Sequence, residues 1–221
     1  VQVLAGVLLH PVDGGLELAA TDMELSFRTM LPAKVEGDSS LVVPGKLLVD
    51  LARLLPAQEV TIAYRPEEGV AHVTSGNYSS KLNVFAAEDF PRLPSIDPSP
   101  HTISAASLLD TIDRVARSAS KDESRPVLTG ILVRFEGSRL CMAATDSYRL
   151  SFKETDLGQP GPDLEAIIPA RALTELQRIA GDHESISLGV NENTVVFGAG
   201  DTWLTTRRID GQFPDYTQVV P

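Results

Sequence analysis

The sequence predicts an α+β fold made of two copies of one module, and three observations indicate this class. The chain repeats itself at a nearly constant spacing, its short segments alternate apolar and polar residues, and its longer segments carry apolar residues at helical spacing. Short antiparallel strands with one apolar face must cover that face, and two helices in each module are about enough to do so. We therefore expect each module to contain two helices packed on antiparallel sheets.

The repeat defines the unit that folds, so it precedes the assignment of single elements. Two segments recur 124 positions later: residues 3–8 (VLAGVL) match 127–132 (VLTGIL), and residues 19–22 (AATD) match 143–146. One residue is then inserted in the second copy, so two further matches are displaced by 125: residues 25–27 (LSF) with 150–152, and 43–46 (VPGK) with 168–171 (IPAR).

A linker separates the two copies. Phe90-Pro91 closes the first copy and residues 213–216 (FPDY) close the second, while prolines and serines are frequent over residues 91–100. Such composition is typical of a domain boundary, which we place near residue 97, giving modules over 1–97 and 98–221.

The elements follow from periodicity and from the residues that begin and end them. In the second copy, Leu108, Ile112 and Val115 predict a helix near 105–118 behind the N-cap candidate Ser104. A second helix opens at Pro169, whose missing N–H would have no partner there, and runs to about Ala180, where Gly181 stops it. Alternating segments predict strands near 128–135, 139–144, 147–154, 164–168, 185–190, 193–198 and 202–208. The first copy shows the same order with a helix after Pro44, but its opening helix is missing, so we expect the chain to begin inside a module.

Composition limits the class of protein. The lone Cys141 cannot form an internal disulfide, and no stretch has the features of a secretory leader or the roughly 20 apolar residues that span a bilayer. We therefore expect a cytoplasmic protein with no membrane partner. The net charge of −11 argues against a generic nucleic-acid coat, but it leaves a local basic face possible.

Cations recur at equivalent places on the helix that follows Val-Pro or Ile-Pro. Lys46 and Arg53 stand seven residues apart in the first copy, as Arg171 and Arg178 do in the second. This spacing places each pair on one helix face, opposite the apolar positions that we predict to be buried, which are Leu47, Leu51 and Leu54 in one copy and Leu173, Leu176 and Ile179 in the other. The second copy adds Arg114, Arg117, Lys121 and Arg125 on or after its first helix. These residues are either ordinary solvated charges or, if several modules form a ring with helices inward, a channel lining that meets phosphates without reading bases.

Other chemistries have little support. Residues 118–121 (SASK) fit the Ser-x-x-Lys pattern of penicillin-binding enzymes, but no Lys-Thr-Gly accompanies them. The four histidines lack the spacing of metal ligands, no stretch fits a phosphate-binding P-loop, and we expect neither an enzyme nor a cofactor. A scaffold that binds proteins only remains the alternative, and loss of the helix cations would favour it.

The ordered motifs identify a family. A Leu-x-Gly-(Ile/Val)-Leu strand, an Ala-Thr-Asp turn followed in the second copy by Arg149-Leu150, a strand into Val-Pro or Ile-Pro with a basic helix, and a closing Phe-Pro-Asp-Tyr appear in this order. This set resembles the bacterial DNA sliding clamp family, the β subunit of DNA polymerase III, along the whole chain. The resemblance implies three modules in each protomer, of which this chain looks like most of the first, all of the second and none of the third.

By the same resemblance, two full-length protomers close head to tail into a ring around duplex DNA, with helices facing the channel, and tether polymerase without catalysis. DNA contacts would include Arg125 and Lys121. Implied partners are the catalytic subunit of DNA polymerase III, the clamp loader and other proteins with a clamp-binding motif. Their peptides would share a pocket on the second module, with walls matching Leu128, Thr145, Ser147, Tyr148, Arg149, Leu150, Pro214, Gln218 and Val219. Without a third module, we expect the chain itself to be a monomer with weak DNA affinity.

Overall fold

The computed structural model describes residues 2–56, 59–94 and 100–217. The chain separates into two compact units, Val1–Leu93 and Pro94–Pro221. The boundary predicted near residue 97 lies among residues 95–99, outside the described part of the chain. No helix within the described residues is long and apolar enough to cross a membrane.

The first unit contains two antiparallel sheets and one α-helix among its described residues. Its elements are β1 (Gly6–Val12), β2 (Gly15–Thr21), β3 (Leu25–Pro32), β4 (Leu41–Pro44), α1 (Gly45–Leu54), β5 (Thr61–Arg65), β6 (Val70–Ser75), β7 (Tyr78–Asn83) and β8 (Phe85–Ala86). Within this unit the strands are ordered β8-β4-β1-β2-β3 in one sheet and β5-β6-β7 in the other. Short 3-10 turns cover Gln2–Ala5, Pro66–Glu68 and Ala87–Asp89.

The second unit repeats this plan with more helix. Its elements are β9 (His101–Ser104), α2 (Ala105–Ala116), α3 (Pro126–Thr129), β10 (Gly130–Glu136), β11 (Arg139–Thr145), β12 (Leu150–Asp156), β13 (Glu165–Pro169), α4 (Ala170–Ala180), β14 (Ser185–Val190), β15 (Thr194–Ala199) and β16 (Thr202–Arg207). Its strands are ordered β12-β11-β10-β13 and β16-β15-β14-β9. The predicted α+β class, with helices packed on antiparallel sheets, is confirmed.

Most predicted elements of the second unit lie within a few residues of the observed ones, and two elements, α3 and β9, were not predicted. The helix cap is confirmed, because Ser104 Oγ accepts a hydrogen bond from the Ser107 amide at 3.4 Å. The strand predicted from residue 128 begins instead at Gly130, since Pro126 starts the short helix α3 with a φ suited to a first helical position. The strand β9, which pairs with β14, was not predicted.

The repeat is visible in the packing of one glycine per unit. Gly6 on β1 pairs with Pro44 on β4, and Gly130 on β10 pairs with Pro169 on β13. A Cβ at Gly6 would lie 2.3 Å from Val42 Cγ1, and a Cβ at Gly130 would lie 2.3 Å from Ile167 Cγ2. Both units therefore require glycine where a β-branched side chain of the neighbouring strand crosses the backbone.

The apolar face of α1 differs from the prediction. Leu51 is buried and packs with Leu48 and Leu55, whereas Leu47 is 50% and Leu54 is 75% exposed. The equivalent positions on α4 are the buried Ala172 and the half-buried Ile179. They are shielded because α2 packs beside α4, with Gln177 Nε2 donating to the Leu109 carbonyl at 3.3 Å. No described residues of the first unit form a counterpart of α2, so the prediction was wrong for Leu47 and Leu54.

The core of the second unit is formed by its helices and the strands beneath them. Leu108 and Ile112 of α2 and Leu173 and Leu176 of α4 are almost fully buried, as the sequence predicted. Cys141 on β11 is also buried. Hydroxyl pairs connect α2 and the residues just after it to β12. Thr111 Oγ1 on α2 lies 2.7 Å from Thr155 Oγ1, and Ser118 Oγ beyond the helix lies 2.6 Å from Ser151 Oγ.

Candidate functional site

The eight cations predicted to contact DNA are all exposed: Lys46, Arg53, Arg114, Arg117, Lys121, Arg125, Arg171 and Arg178. Lys46 and Arg53 lie on the face of α1 opposite the buried Leu51. Arg171 and Arg178 lie on the face of α4 opposite Leu173 and Leu176. The repeated spacing in the sequence therefore corresponds to equivalent outward faces on the two helices.

Half of these cations form ion pairs with Asp or Glu side chains, which were not predicted from the sequence. The four pairs, each within one helical turn or loop, are Arg114 with Asp110 at 3.1 Å, Arg117 with Asp113 at 3.3 Å, Arg125 with Asp122 at 2.8 Å and Arg178 with Glu175 at 3.2 Å. Lys46, Arg53 and Lys121 form no ion pair within the described ranges. The spacing of three or four residues between acid and base was visible in the sequence and would have identified the pairs.

These ion pairs reduce the local positive charge without removing the arginines from solvent. Lys153 also hydrogen-bonds Asp110, and this contact is the main reason why the pKa of the Asp110 carboxyl lies below its usual range. Exposed pairs of this kind contribute little to stability and are screened by salt. A phosphate group can therefore compete with the carboxylates for the same guanidinium groups.

Four of the predicted pocket residues belong to the turn between β11 and β12, residues 145–149, which we call the pocket turn. Thr145 Oγ1 accepts from the Ser147 amide at 3.1 Å and donates to the Arg149 carbonyl at 2.8 Å. Asp146 Oδ1 accepts from the amides of Tyr148 at 3.0 Å and Arg149 at 3.1 Å. Short polar side chains that bond the backbone two or three residues on stabilise tight turns, which explains the Thr-Asp sequence.

The first unit contains the same turn. Thr21 Oγ1 accepts from the Met23 amide at 3.0 Å and donates to the Leu25 carbonyl at 3.1 Å. Met23 and Ser147 both have positive φ, 80° and 79°. The predicted turn character of the Ala-Thr-Asp motif is confirmed in both units.

The Arg149 side chain is held by two hydrogen bonds, whereas the Tyr148 side chain is exposed to solvent. Arg149 Nε donates to Asp146 Oδ2 at 3.1 Å, and Arg149 Nη2 donates to the Arg117 carbonyl at the end of α2 at 2.6 Å. Hydrogen bonds from the Tyr148 and Arg149 amides, with the Arg149 side chain, hold the pKa of Asp146 below its usual range. Tyr148 is 95% exposed. The turn thus presents an aromatic ring to solvent beside a guanidinium group of fixed position.

The remaining predicted pocket residues differ in their accessibility. Leu150 is half-buried and packs against a cluster that contains Phe213 and Tyr216, which brings the exposed Pro214 near the pocket turn. Leu128 is buried, so it supports the site from below and offers little surface of its own. Gln218 and Val219 lie outside the described residues.

A cavity of about 520 Å³ lies between β10, β13 and residues 208–217. Pro214 is the one predicted pocket residue among its lining, which also includes Arg134 and Arg208. Within the described chain, Nε of each of these arginines is buried without a hydrogen-bond partner. This cavity was not predicted from the sequence, because neither arginine belongs to a motif.

The structure gives no support to the catalytic pattern noted at residues 118–121. Ser118 is buried and its hydroxyl is paired with Ser151, while Lys121 is exposed. In the part of the chain that the structure describes, no group of three or more His, Cys, Asp or Glu side chains could hold a metal ion.

Comparison with known proteins connects both units to one family. A family model of the DNA polymerase III beta subunit, N-terminal domain, matches residues 1–94, and one of its central domain matches residues 102–215. The beta sliding clamp of Synechococcus elongatus is 34% identical over 229 residues, and that of Streptomyces coelicolor is 32% identical over 227 residues. Each alignment covers 99% of this chain and 60% of the relative.

Solved structures agree with the sequence matches. The crystal structure of the DNA polymerase sliding clamp from Bacillus subtilis superposes with a TM-score of 0.90 at 27% identity, covering 99% of this chain and 60% of that one. The chain therefore spans about 60% of the length of these relatives. Because the family models match both of its units, the chain belongs to the DNA polymerase III beta subunit family, the beta sliding clamps.

Proposed function

We propose that this chain forms the first two modules of a DNA sliding clamp, which encircles duplex DNA and tethers the replicative polymerase without catalysing a reaction. The observation that carries the proposal is family membership over both units, each with a basic helix face at the equivalent position. By the same similarity we assign modules 1–97 and 98–221 and a place of action in the cytoplasm, where bacterial DNA is replicated.

The proposed DNA contacts are the eight exposed cations, on helices that face the channel of the ring. Lys and Arg side chains on helices can meet phosphates at any sequence, because they do not read base edges. Binding of this kind depends on the release of counterions and weakens steeply with salt. The four carboxylates paired with these arginines would lower the affinity, which suits a protein that must slide.

The proposed protein contacts are the pocket turn together with Leu128, Leu150, Pro214, Gln218 and Val219. Peptides of the polymerase catalytic subunit, the clamp loader and other clamp-binding proteins would bind there in turn. Support comes from the exposed Tyr148 beside the fixed Arg149, since Tyr and Arg are favoured anchors at interfaces. The full-length protein would also bind a second copy of itself, head to tail.

A topological assay tests the clamp proposal. The full-length protein would be loaded on nicked circular duplex with its clamp loader, and the DNA would then be cut. We expect the protein to stay on the circle and to leave the cut ends. Retention that is unchanged by cutting would contradict encirclement and would favour the scaffold that binds proteins only.

Alanine substitution tests the pocket assignment separately. Arg149→Ala with Leu150→Ala should weaken binding of a peptide from the clamp-binding segment of the polymerase catalytic subunit by at least tenfold, because hot-spot truncations cost roughly 2 kcal/mol or more. Tyr78→Ala, at a partly exposed tyrosine of the first unit, is the matched control. Unchanged affinity in the double variant, measured by fluorescence anisotropy, would remove the pocket from this turn.

A further inference from the structure

The pocket turn is joined to a predicted DNA contact by one side chain. Arg125 follows α2 on the loop before α3, and its Nη1 donates to Ser147 Oγ at 3.1 Å. The same guanidinium donates from Nε to Asp122 Oδ2 at 2.8 Å. Arg125 therefore touches the turn that carries Tyr148 and Arg149, although the resemblance assigns it to DNA. Its side chain is 44% exposed, so a phosphate can reach it.

We propose that Arg125 is shared between DNA phosphates and Ser147, so that DNA in the channel and a peptide at the pocket turn oppose each other's binding. This inference rests on the proposed function and adds a regulation to it. The link is carried by two side chains whose hydrogen bond lies entirely within the second unit.

Competition follows from the geometry of the guanidinium group. Arginine binds phosphate most strongly through two parallel N–H groups, along an edge that includes either Nε or both Nη nitrogens. Nε is engaged by Asp122 and Nη1 by Ser147, so each such edge includes a nitrogen already in use. A phosphate along either edge therefore shares a nitrogen with Asp122 or Ser147, and turning the guanidinium toward the phosphate weakens the bond to that partner. Ser147 is the weaker one, because a neutral hydroxyl accepts less strongly than a carboxylate.

Losing Arg125 matters to the turn because of the backbone at Ser147. A non-glycine residue with a φ of 79° is in a sparsely populated conformation that its surroundings must maintain. The Arg125 bond is one of those restraints, and the Thr145 hydroxyl on the Ser147 amide is another. With one restraint removed, the turn is less ordered, and a peptide must order it again on binding.

The loss of the Arg125 bond should affect only the Ser147 end of the turn, because the Arg149 end is held by other contacts. Arg149 is tied to Asp146 and to the carbonyl of Arg117, and neither bond involves Arg125. Displacement of Arg125 therefore loosens the turn at Ser147 and leaves Arg149 attached to α2. Because DNA and peptide binding are coupled through one hydrogen bond, the affinity for the peptide should change only about three- to tenfold.

The test measures the affinity of one peptide with and without DNA. A labelled peptide from the clamp-binding segment of the polymerase catalytic subunit would be titrated into the full-length protein, free or loaded on nicked circular duplex. We expect DNA in the channel to weaken peptide binding about three- to tenfold. Ser147→Gly removes the acceptor hydroxyl and suits the positive φ, so its ratio should fall to about one.

Two further variants locate the effect. Met23→Gly is the matched control, since Met23 has the same φ in the equivalent turn and no hydroxyl, and it should keep the ratio of the parent protein. Arg125→Lys keeps the positive charge but cannot hold Asp122 and Ser147 with one planar fork, so it should lose the coupling while still loading on DNA.

The outcomes distinguish a failure of the shared Arg125 contact from a failure of the proposed clamp function. Equal peptide affinity with and without DNA, tighter binding with DNA, or an unchanged ratio in Ser147→Gly would overturn the sharing of Arg125 and leave the clamp intact. Failure of the free protein to bind the peptide, or release from the uncut circle, would instead overturn the proposed function and the shared contact with it.

Discussion

Thr21 and Thr145 hold turns of the same geometry in the two units, yet the two turns differ in what they display. At the positive-φ position the first turn has Met23, which carries no strong hydrogen-bonding group, and the second has Ser147, which accepts from Arg125. Tyr148 and Arg149 stand at the positions that Glu24 and Leu25 occupy in the first turn, since the Asp22 and Asp146 carboxylates accept from the same two amides in each. The two turns thus share their internal hydrogen bonds and differ in the side chains that they expose.

The helices after the two turns differ in a similar way. On α4 the positions beside the central leucines are covered by α2, and on α1 the equivalent Leu47 and Leu54 are exposed. The cations on the opposite faces are nevertheless equivalent. The two helices therefore carry equivalent surface charge although they bury different amounts of apolar surface.

Truncating helix leucines should give the largest difference between the copies. Leu176→Ala on α4 removes a fully buried side chain and should lower the free energy of unfolding by about 3 kcal/mol, through lost burial and a cavity. Leu54→Ala on α1, which is 75% exposed, should change it by less than about 0.5 kcal/mol. Urea unfolding followed by circular dichroism measures both. Similar losses at the two positions would mean that Leu54 is covered in solution.

Removing the turn hydroxyls should give the next largest difference. Thr21 is buried and its Oγ1 also lies 2.8 Å from Ser26 Oγ, so Thr21→Val leaves more polar groups unpaired than Thr145→Val does. We expect a loss of about 2 kcal/mol at Thr21 and about 1 kcal/mol at Thr145. Thermal unfolding of the two variants measures both losses. A larger loss for Thr145→Val than for Thr21→Val would contradict the prediction.

Glycine at the two positive-φ positions should change the free energy of unfolding by smaller amounts, and the change should differ between the two turns. Met23→Gly relieves backbone strain and should raise the free energy of unfolding by about 0.5 kcal/mol, after the greater chain entropy of glycine is deducted. Ser147→Gly gains the same relief but loses the Arg125 bond, so its gain should be near zero. Equal gains from the two substitutions, by differential scanning calorimetry, would show that the Arg125 bond contributes nothing in solution.

Acid should loosen the second turn through Asp146, and this is the smallest effect expected. Because the pKa of Asp146 is lowered in the folded protein, its stabilising contribution is present above the unfolded pKa of about 3.9 and is lost as pH falls through the folded pKa. Asp146→Asn should flatten the pH dependence of unfolding in this acidic range. An unchanged slope in urea titrations below about pH 4 would exclude the carboxylate as a contributor.

The sequence was sufficient for the repeat, the class and most elements because these depend on periodicity and on a few residues with strong local preferences. Ser104 and Thr145 bond nearby backbone groups as predicted, whereas Pro169, predicted to open its helix, is the N-cap of α4 and the last residue of β13. Leu47 and Leu54 were misassigned because helical spacing does not reveal whether a second helix covers a given side of the stripe. The cavity beside Arg134 and Arg208 was missed because it depends on strands and a terminal segment that meet only in three dimensions.

The single cysteine makes the protein convenient for site-specific labelling. Burial raises the pKa of the Cys141 thiol, so very little reactive thiolate forms near neutral pH, and maleimide reagents have no access to it. A cysteine introduced at the exposed Tyr148 would react in preference to the buried Cys141, so the native cysteine of this chain need not be removed. A dye at that site would test peptide binding at the proposed pocket, with the core of β11 unaltered.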